Sequence, residues 1–115
     1  MRVGRYHHIF DFRNCQNIND PKAILKFIRE LAKAINMKII GGPIITEGAP
    51  NNPGWSAVAI IDFSHISVHT FTQSNEALID IFSCREYNKD KALKVCQNFF
   101  ATQKTEIRYR EVWWG

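Results

Sequence analysis

Only two stretches of this chain carry helical periodicity, and the apolar segments around them read as strands, a combination that restricts the fold more than any other feature. Ile24, Phe27, Ile28, Leu31 and Ile35 recur at the spacing of one helical face. The pattern predicts a helix over 21–36, with Asp20 as N-cap, Pro21 at the first helical position and Asn36 at its end. Ala92, Leu93, Val95, Cys96, Phe99 and Phe100 describe a second amphipathic helix near 89–102. Segments 5–13, 37–46, 55–62, 65–71, 77–83 and 106–113 are rich in β-branched and aromatic residues and read as strands. Gly41-Gly42-Pro43 interrupts the second of these, which marks an edge or a bulge, and the closeness of 55–62 and 65–71 predicts a hairpin.

The order β-α-β-β-β-β-α-β predicts an α/β (α+β) fold, a two-layer sandwich of an antiparallel sheet with two helices on one face. Strand residues of both parities are apolar, as in Val58-Ala59-Ile60-Ile61 and in Ile79, Ile81 and Phe82. A solvated second face would show alternation, so the second face is expected to be buried against another copy of the chain, a homodimer. The 115 residues are expected to form a single domain, 1–115, long enough to bury roughly two-thirds of the unfolded chain's surface.

Composition narrows the partners. A hydrophobic content of 45% excludes disorder, and no apolar run reaches the ~20 residues of a membrane span. No basic-plus-apolar leader opens the sequence, so a cytoplasmic protein without a membrane partner is expected. The net charge of +4 and the pI of about 9.1 raise the question of nucleic acid. Lys22, Lys26, Arg29 and Lys33, however, share one helix with Asp20 and Glu30, and Lys89, Lys91 and Lys94 share the other with Asp90. These read as solvated helix faces, and no nucleic-acid partner is expected. Cys15, Cys84 and Cys96 are odd in number and lack C-x-x-C spacing, which indicates free thiols rather than disulfides or a zinc ribbon.

The reactive residues concentrate in Ser64-His65-Ile66-Ser67-Val68-His69-Thr70-Phe71 and in Asp80-Ile81-Phe82-Ser83-Cys84. A hydroxyl, an imidazole and a thiol on neighbouring strands are what a self-processing pyruvoyl enzyme requires. If Ser64 opens a strand from a tight turn, its oxygen can attack the carbonyl carbon of Phe63 and exchange amide for ester. Loss of the Ser64 α-proton, with His69 as a candidate base, then breaks the chain. The dehydroalanine left behind hydrolyses to a pyruvoyl group and ammonia. Such a group can condense with a substrate amine and accept the electrons released when carbon dioxide leaves. Cys84 could return the proton. A metal site built from His65 and His69 with His7, His8 or Cys84 is the competing reading. Strand positions four apart are separated by about 13 Å, which disfavours it, and no metal is expected.

Gly54-Trp55-Ser56-Ala57-Val58-Ala59-Ile60-Ile61, then Ser64 to Phe71, then Asp80 to Cys84 resemble the small prokaryotic S-adenosylmethionine decarboxylase family. Its members read roughly G-V-x-A-V-x-x-x-x-E-S-H-I-S-I-H-T-W-P-E followed by D-x-F-T-C-G. Gly4-Arg5-Tyr6-His7 and Cys15 also fit its N-terminal pattern, and the run from Ser64 to Cys84 aligns without a gap. The resemblance implies autocleavage between Phe63 and Ser64, a pyruvoyl group derived from Ser64, His69 and Ser56 as processing residues, and Cys84 as proton donor. It further implies a dimer of two-layer sandwiches whose active sites involve both protomers, acting on S-adenosylmethionine for spermidine biosynthesis.

Four positions depart from that pattern. Phe63 stands where the family has glutamate, Phe71-Thr72-Gln73 replaces W-P-E, and Arg85 replaces the glycine after the cysteine. Loop 47–54 lacks the aromatic residue that the family uses to stack adenine, for which Trp55 is a candidate substitute, and Gln73 is a candidate substrate contact. These departures keep two alternatives open. One is an unprocessed, regulatory homologue that binds a small amine or a partner subunit. The other is a pyruvoyl decarboxylase of arginine or ornithine.

Overall fold

The computed structural model describes residues 2–114. Its elements are β1 (Arg5–Cys15), α1 (Pro21–Ala34), β2 (Ile39–Glu47), β3 (Trp55–Ile61), β4 (Ser64–Phe71), β5 (Glu76–Ser83), α2 (Lys89–Phe100) and β6 (Ala101–Trp114). The six strands form one sheet in the order β2-β3-β4-β5-β1-β6, and each adjacent pair is antiparallel. α1 packs against β2, β3 and β4, α2 against β1 and β6, and the helices pack on each other. This is the two-layer sandwich expected from the order of elements.

Local chemistry sets the helix ends. Asp20 accepts from the Ala23 N–H at 3.1 Å and Asn88 from the Lys91 N–H at 3.0 Å, each satisfying a donor with no partner inside its helix. α1 stops at Ala34, two residues short of the expected end, because Asn36 takes a left-handed φ of 58°. The Asn36 N–H then donates to Lys33 O at 3.1 Å and the Met37 N–H to Ala32 O at 2.9 Å, a Schellman motif. β6 begins earlier than alternation indicated. Its polar start is held to β1 by Ala101 opposite Cys15 and by the Thr102 and Thr105 hydroxyls donating to Asn14 O.

The core lies between sheet and helices. Phe10, Phe12, Ala57, Ala59, Ile61, Ile66, Val68, Ile79 and Ile81 face Ile24, Phe27, Ile28 and Leu31 of α1 and Ala92, Cys96 and Phe100 of α2, all buried. Each buried valine, leucine, isoleucine or phenylalanine among these contributes about 1.5–3 kcal/mol relative to exposure. The opposite face is open in the single chain. There Ile44 is 64% and Ile60 55% exposed, with Val58 between them on the β2–β3 edge. β2 is that edge strand, and its register shifts at Gly41, as the Gly-Gly-Pro interruption predicted.

Candidate active site

The β3–β4 hairpin turns through Asp62 and Phe63, which leaves Ser64 as the first residue of β4. Its φ is +138°, a value an L-residue rarely adopts, and such strain costs of order 1–3 kcal/mol. The surroundings hold it there. The Asp62 N–H donates to Lys38 O at 2.9 Å while Asp62 Oδ1 accepts from the Lys38 N–H at 3.1 Å. Ser64 is in register with Ile61 on one side and Ser83 on the other.

The carbonyl oxygen of Phe63, which belongs to the Phe63–Ser64 peptide bond, accepts the backbone N–H of Cys84 at 2.9 Å. A preorganised donor on that oxygen stabilises the negative charge that grows there when the carbon is attacked. The Cys84 thiol follows the end of β5 and is exposed, whereas Cys15 and Cys96 are buried. Burial pushes the Cys15 thiol up to about 11 and pushes Cys96 still higher. Cys84 is therefore the one accessible thiol of the three.

Ser56 and His69 sit directly opposite each other on β3 and β4, and Ser56 Oγ and His69 Nδ1 share a hydrogen bond of 2.8 Å. Gly54 makes this register possible. Its φ is +146°, and a Cβ there would lie 1.9 Å from Thr70 O, so only glycine lets the strand start this close to β4. The Trp55 N–H then bonds Thr70 Oγ1 at 3.0 Å. The pair lines an open cleft of ≈ 330 Å³ with Ile44, Thr46, Val58 and Ser67.

The single chain does not bring these groups together. Five residue steps along β4 separate Ser64 from His69, about 16 Å at 3.3 Å per residue. Phe63, Ser64 and Cys84 occupy one end of the β3–β4–β5 strands, whereas Ser56 and His69 occupy the other. Trp55 shares the latter end but turns to the helix side. It packs against the core, and its indole N–H donates to Asn19 Oδ1 at 2.9 Å. It does not line the cleft beside His69, because alternate strand residues face opposite ways and Ser56 takes the open face. Gln73 is exposed in the β4–β5 turn.

The histidines are dispersed too. His7 Nε2 is 2.7 Å from Asp80 Oδ1 on the open face, and His65 stacks on Phe82 with ring centroids 5.6 Å apart. His8 points to the helix side, where it bonds the Tyr87 hydroxyl and its Nε2 lies 3.3 Å from Glu111 Oε1. Burial lowers the His8 pKa and raises that of Tyr87, while His8 and then the Tyr109 hydroxyl lower that of Glu111. Neighbours on one strand thus face opposite ways and cannot join one ion. Among the described residues no group of three or more His, Cys, Asp or Glu side chains converges.

Sequence reasoning missed two groups. The Cys84 amide has no side-chain signature. Arg85, noted only as a departure, places its guanidinium carbon 4.2 Å from the centroid of the Phe63 ring.

Comparison with known proteins places this geometry in context. A family model described as S-adenosylmethionine decarboxylase matches residues 6–111. An S-adenosylmethionine decarboxylase proenzyme of Thermomicrobium roseum is 33% identical over 106 residues, 91% of this chain and 89% of the relative. One from Clostridium botulinum is 27% identical over 111 residues, 94% of this chain and 93% of the relative. The crystal structure of the adenosylmethionine decarboxylase from Aquifex aeolicus superposes with a TM-score of 0.76 at 18% identity, covering 96% of this chain and 91% of that one. The last likeness is one of fold.

Proposed function

The chain belongs to the S-adenosylmethionine decarboxylase family, and from that premise we propose that it is a proenzyme that cleaves itself between Phe63 and Ser64 and then decarboxylates S-adenosylmethionine. The observation that carries this reading is the junction itself: Ser64 held at φ +138° behind a carbonyl already bonded to the Cys84 N–H. Strain stored in a ground state is released when the bond shifts.

Ser64 Oγ attacks the Phe63 carbonyl carbon, the C–O bond forms, the C–N bond breaks, and the hydroxyl proton passes to the freed amine. The Cys84 N–H stabilises the oxyanion formed between these states. Removal of the Ser64 α-proton expels the Phe63 carboxylate, and water then converts the dehydroalanine to a pyruvoyl group with release of ammonia. When present, that group supplies a carbonyl that takes up the electron pair left by departing carbon dioxide. The exposed Cys84 thiol, one residue beyond β5 and tied to the same junction, fits the role of returning a proton to the product.

The α-proton needs a base, and the candidate His69 does not reach Ser64 of its own chain. His69, oriented by Ser56, serves Ser64 of a second copy in this reading. A two-fold axis through the open face would set one end of the hairpin against the other end of its mate, and would cover Ile44, Val58 and Ile60. Intact mass tests the proposal, together with carbon dioxide release from S-adenosylmethionine. Fragments of about 63 and 52 residues with release support it. A chain that stays whole on long incubation overturns it and leaves a binding role.

A further inference from the structure

We infer that Arg85 is a positioning residue for self-cleavage, acting through a cation–π stack on Phe63, an inference that rests on the autocleavage proposed above. Two departures from the family pattern, phenylalanine before the serine and arginine after the cysteine, are in contact. The Arg85 guanidinium carbon lies 4.2 Å from the Phe63 ring centroid, well inside the ~6 Å at which a cation over a ring is attracted.

Arg85 is fixed at both its ends. Its N–H donates to Ser83 Oγ at 2.9 Å and its carbonyl accepts from the same hydroxyl at 2.7 Å, and Ser83 is fully buried. The guanidinium donates to Asn36 O, two residues beyond the last residue of α1, in the turn that closes the helix. Between those two anchors lies the ring of Phe63. The carbonyl of the same Phe63 accepts the N–H of Cys84, the residue between Ser83 and Arg85.

The chain thus grips residue 63 twice, by its ring through Arg85 and by its carbonyl through Cys84, while Lys38 grips residue 62. A rotation of the 63–64 peptide plane, ψ of residue 63 against φ of Ser64, would relax the +138° φ and turn the carbonyl carbon away from Ser64 Oγ. A ring clamped to the end of α1 suppresses that rotation. The aromatic residue in front of the serine is then a working part of the junction, with Arg85 as its partner.

The test follows disappearance of the whole chain by intact mass in the full-length parent, Arg85→Ala, Arg85→Lys, Phe63→Tyr, Phe63→Leu and the Arg85→Ala/Phe63→Leu double variant. Thermal midpoints are measured alongside. Arg85→Ala and Phe63→Leu should each slow cleavage by about 3- to 10-fold, the range a partly exposed cation–π contact supports. Phe63→Tyr should keep the parental rate and Arg85→Lys recover part of it. The double variant should be no slower than the slower single one, because both remove the same contact. A structural role alone would lower the thermal midpoint without this coupling. Parental cleavage in Arg85→Ala, or multiplicative effects in the double variant, overturns the inference and leaves autocleavage standing. A parent that never cleaves overturns both.

Discussion

The backbone N–H of Cys84 donates to the carbonyl oxygen of Phe63 at 2.9 Å, so the residue whose thiol is the candidate proton donor also polarises the bond proposed to break. The two roles use different atoms and can be separated. Cys84→Ala keeps the N–H and should keep cleavage, while decarboxylation falls by about 10²–10⁴, the usual worth of a positioned acid. Ser64→Ala removes the attacking oxygen and should leave the whole chain. Equal fragment yields from Ser64→Ala and the parent would refute the assignment of the junction.

With Ser64 at one end of the hairpin and His69 at the other, the proposed maturation requires two chains. Ser64→Ala and His69→Ala proteins should each remain whole when expressed alone. Co-expressed, they should yield cleaved product only from the His69→Ala chain, which keeps its serine and borrows the imidazole of its mate. Mass separates the two products. Cleavage of His69→Ala on its own would remove histidine from the process, and no cleavage in the mixture would rule out sharing between copies.

Much of the fold could be read from the sequence because each element announces itself by period. Ile24, Phe27, Ile28 and Leu31 mark the helix stripe, and every one is buried against the sheet. Helix ends were less legible where a single residue decides them: the left-handed φ of Asn36 stops α1 at Ala34. The site was legible as a set of residue types. The resemblance implied sites that involve both protomers, but the pairing of Ser56 with His69 at the end away from Ser64 depends on the register between β3 and β4, which spacing along one strand does not give. The Cys84 amide and the Arg85–Phe63 stack were hidden for a related reason, since they depend on register between β4 and β5 and on where the Asn36 carbonyl falls.

Thiol chemistry offers a direct check on the exposed end of β5. Cys15 and Cys96 are buried, with thiols that burial keeps protonated, whereas Cys84 faces solvent. Iodoacetamide under native conditions at neutral pH should add one label, on Cys84, and three after unfolding. Peptide mapping reads the sites. Native labelling of Cys96 at a rate like that of Cys84 would contradict the packing of α2 on the sheet.

Acid stability should depend on His8. Its pKa is lowered from 6.5, chiefly by burial, with Lys89 and His7 acting the same way and Glu111 opposing, while the Tyr87 and Tyr109 rings pack beside it. Between 6.5 and the lowered value the unfolded chain binds a proton at this position that the folded chain does not. Stability therefore falls as pH drops through that window. Glu111 is lowered from 4.5, so its contribution is present above that value and is lost only at still lower pH. Urea midpoints for the parent should decline between about pH 7.5 and 5.5, and His8→Gln, which cannot titrate, should show a flatter profile over the same interval. Parallel profiles for the two proteins would mean that the buried imidazole is not the group being protonated.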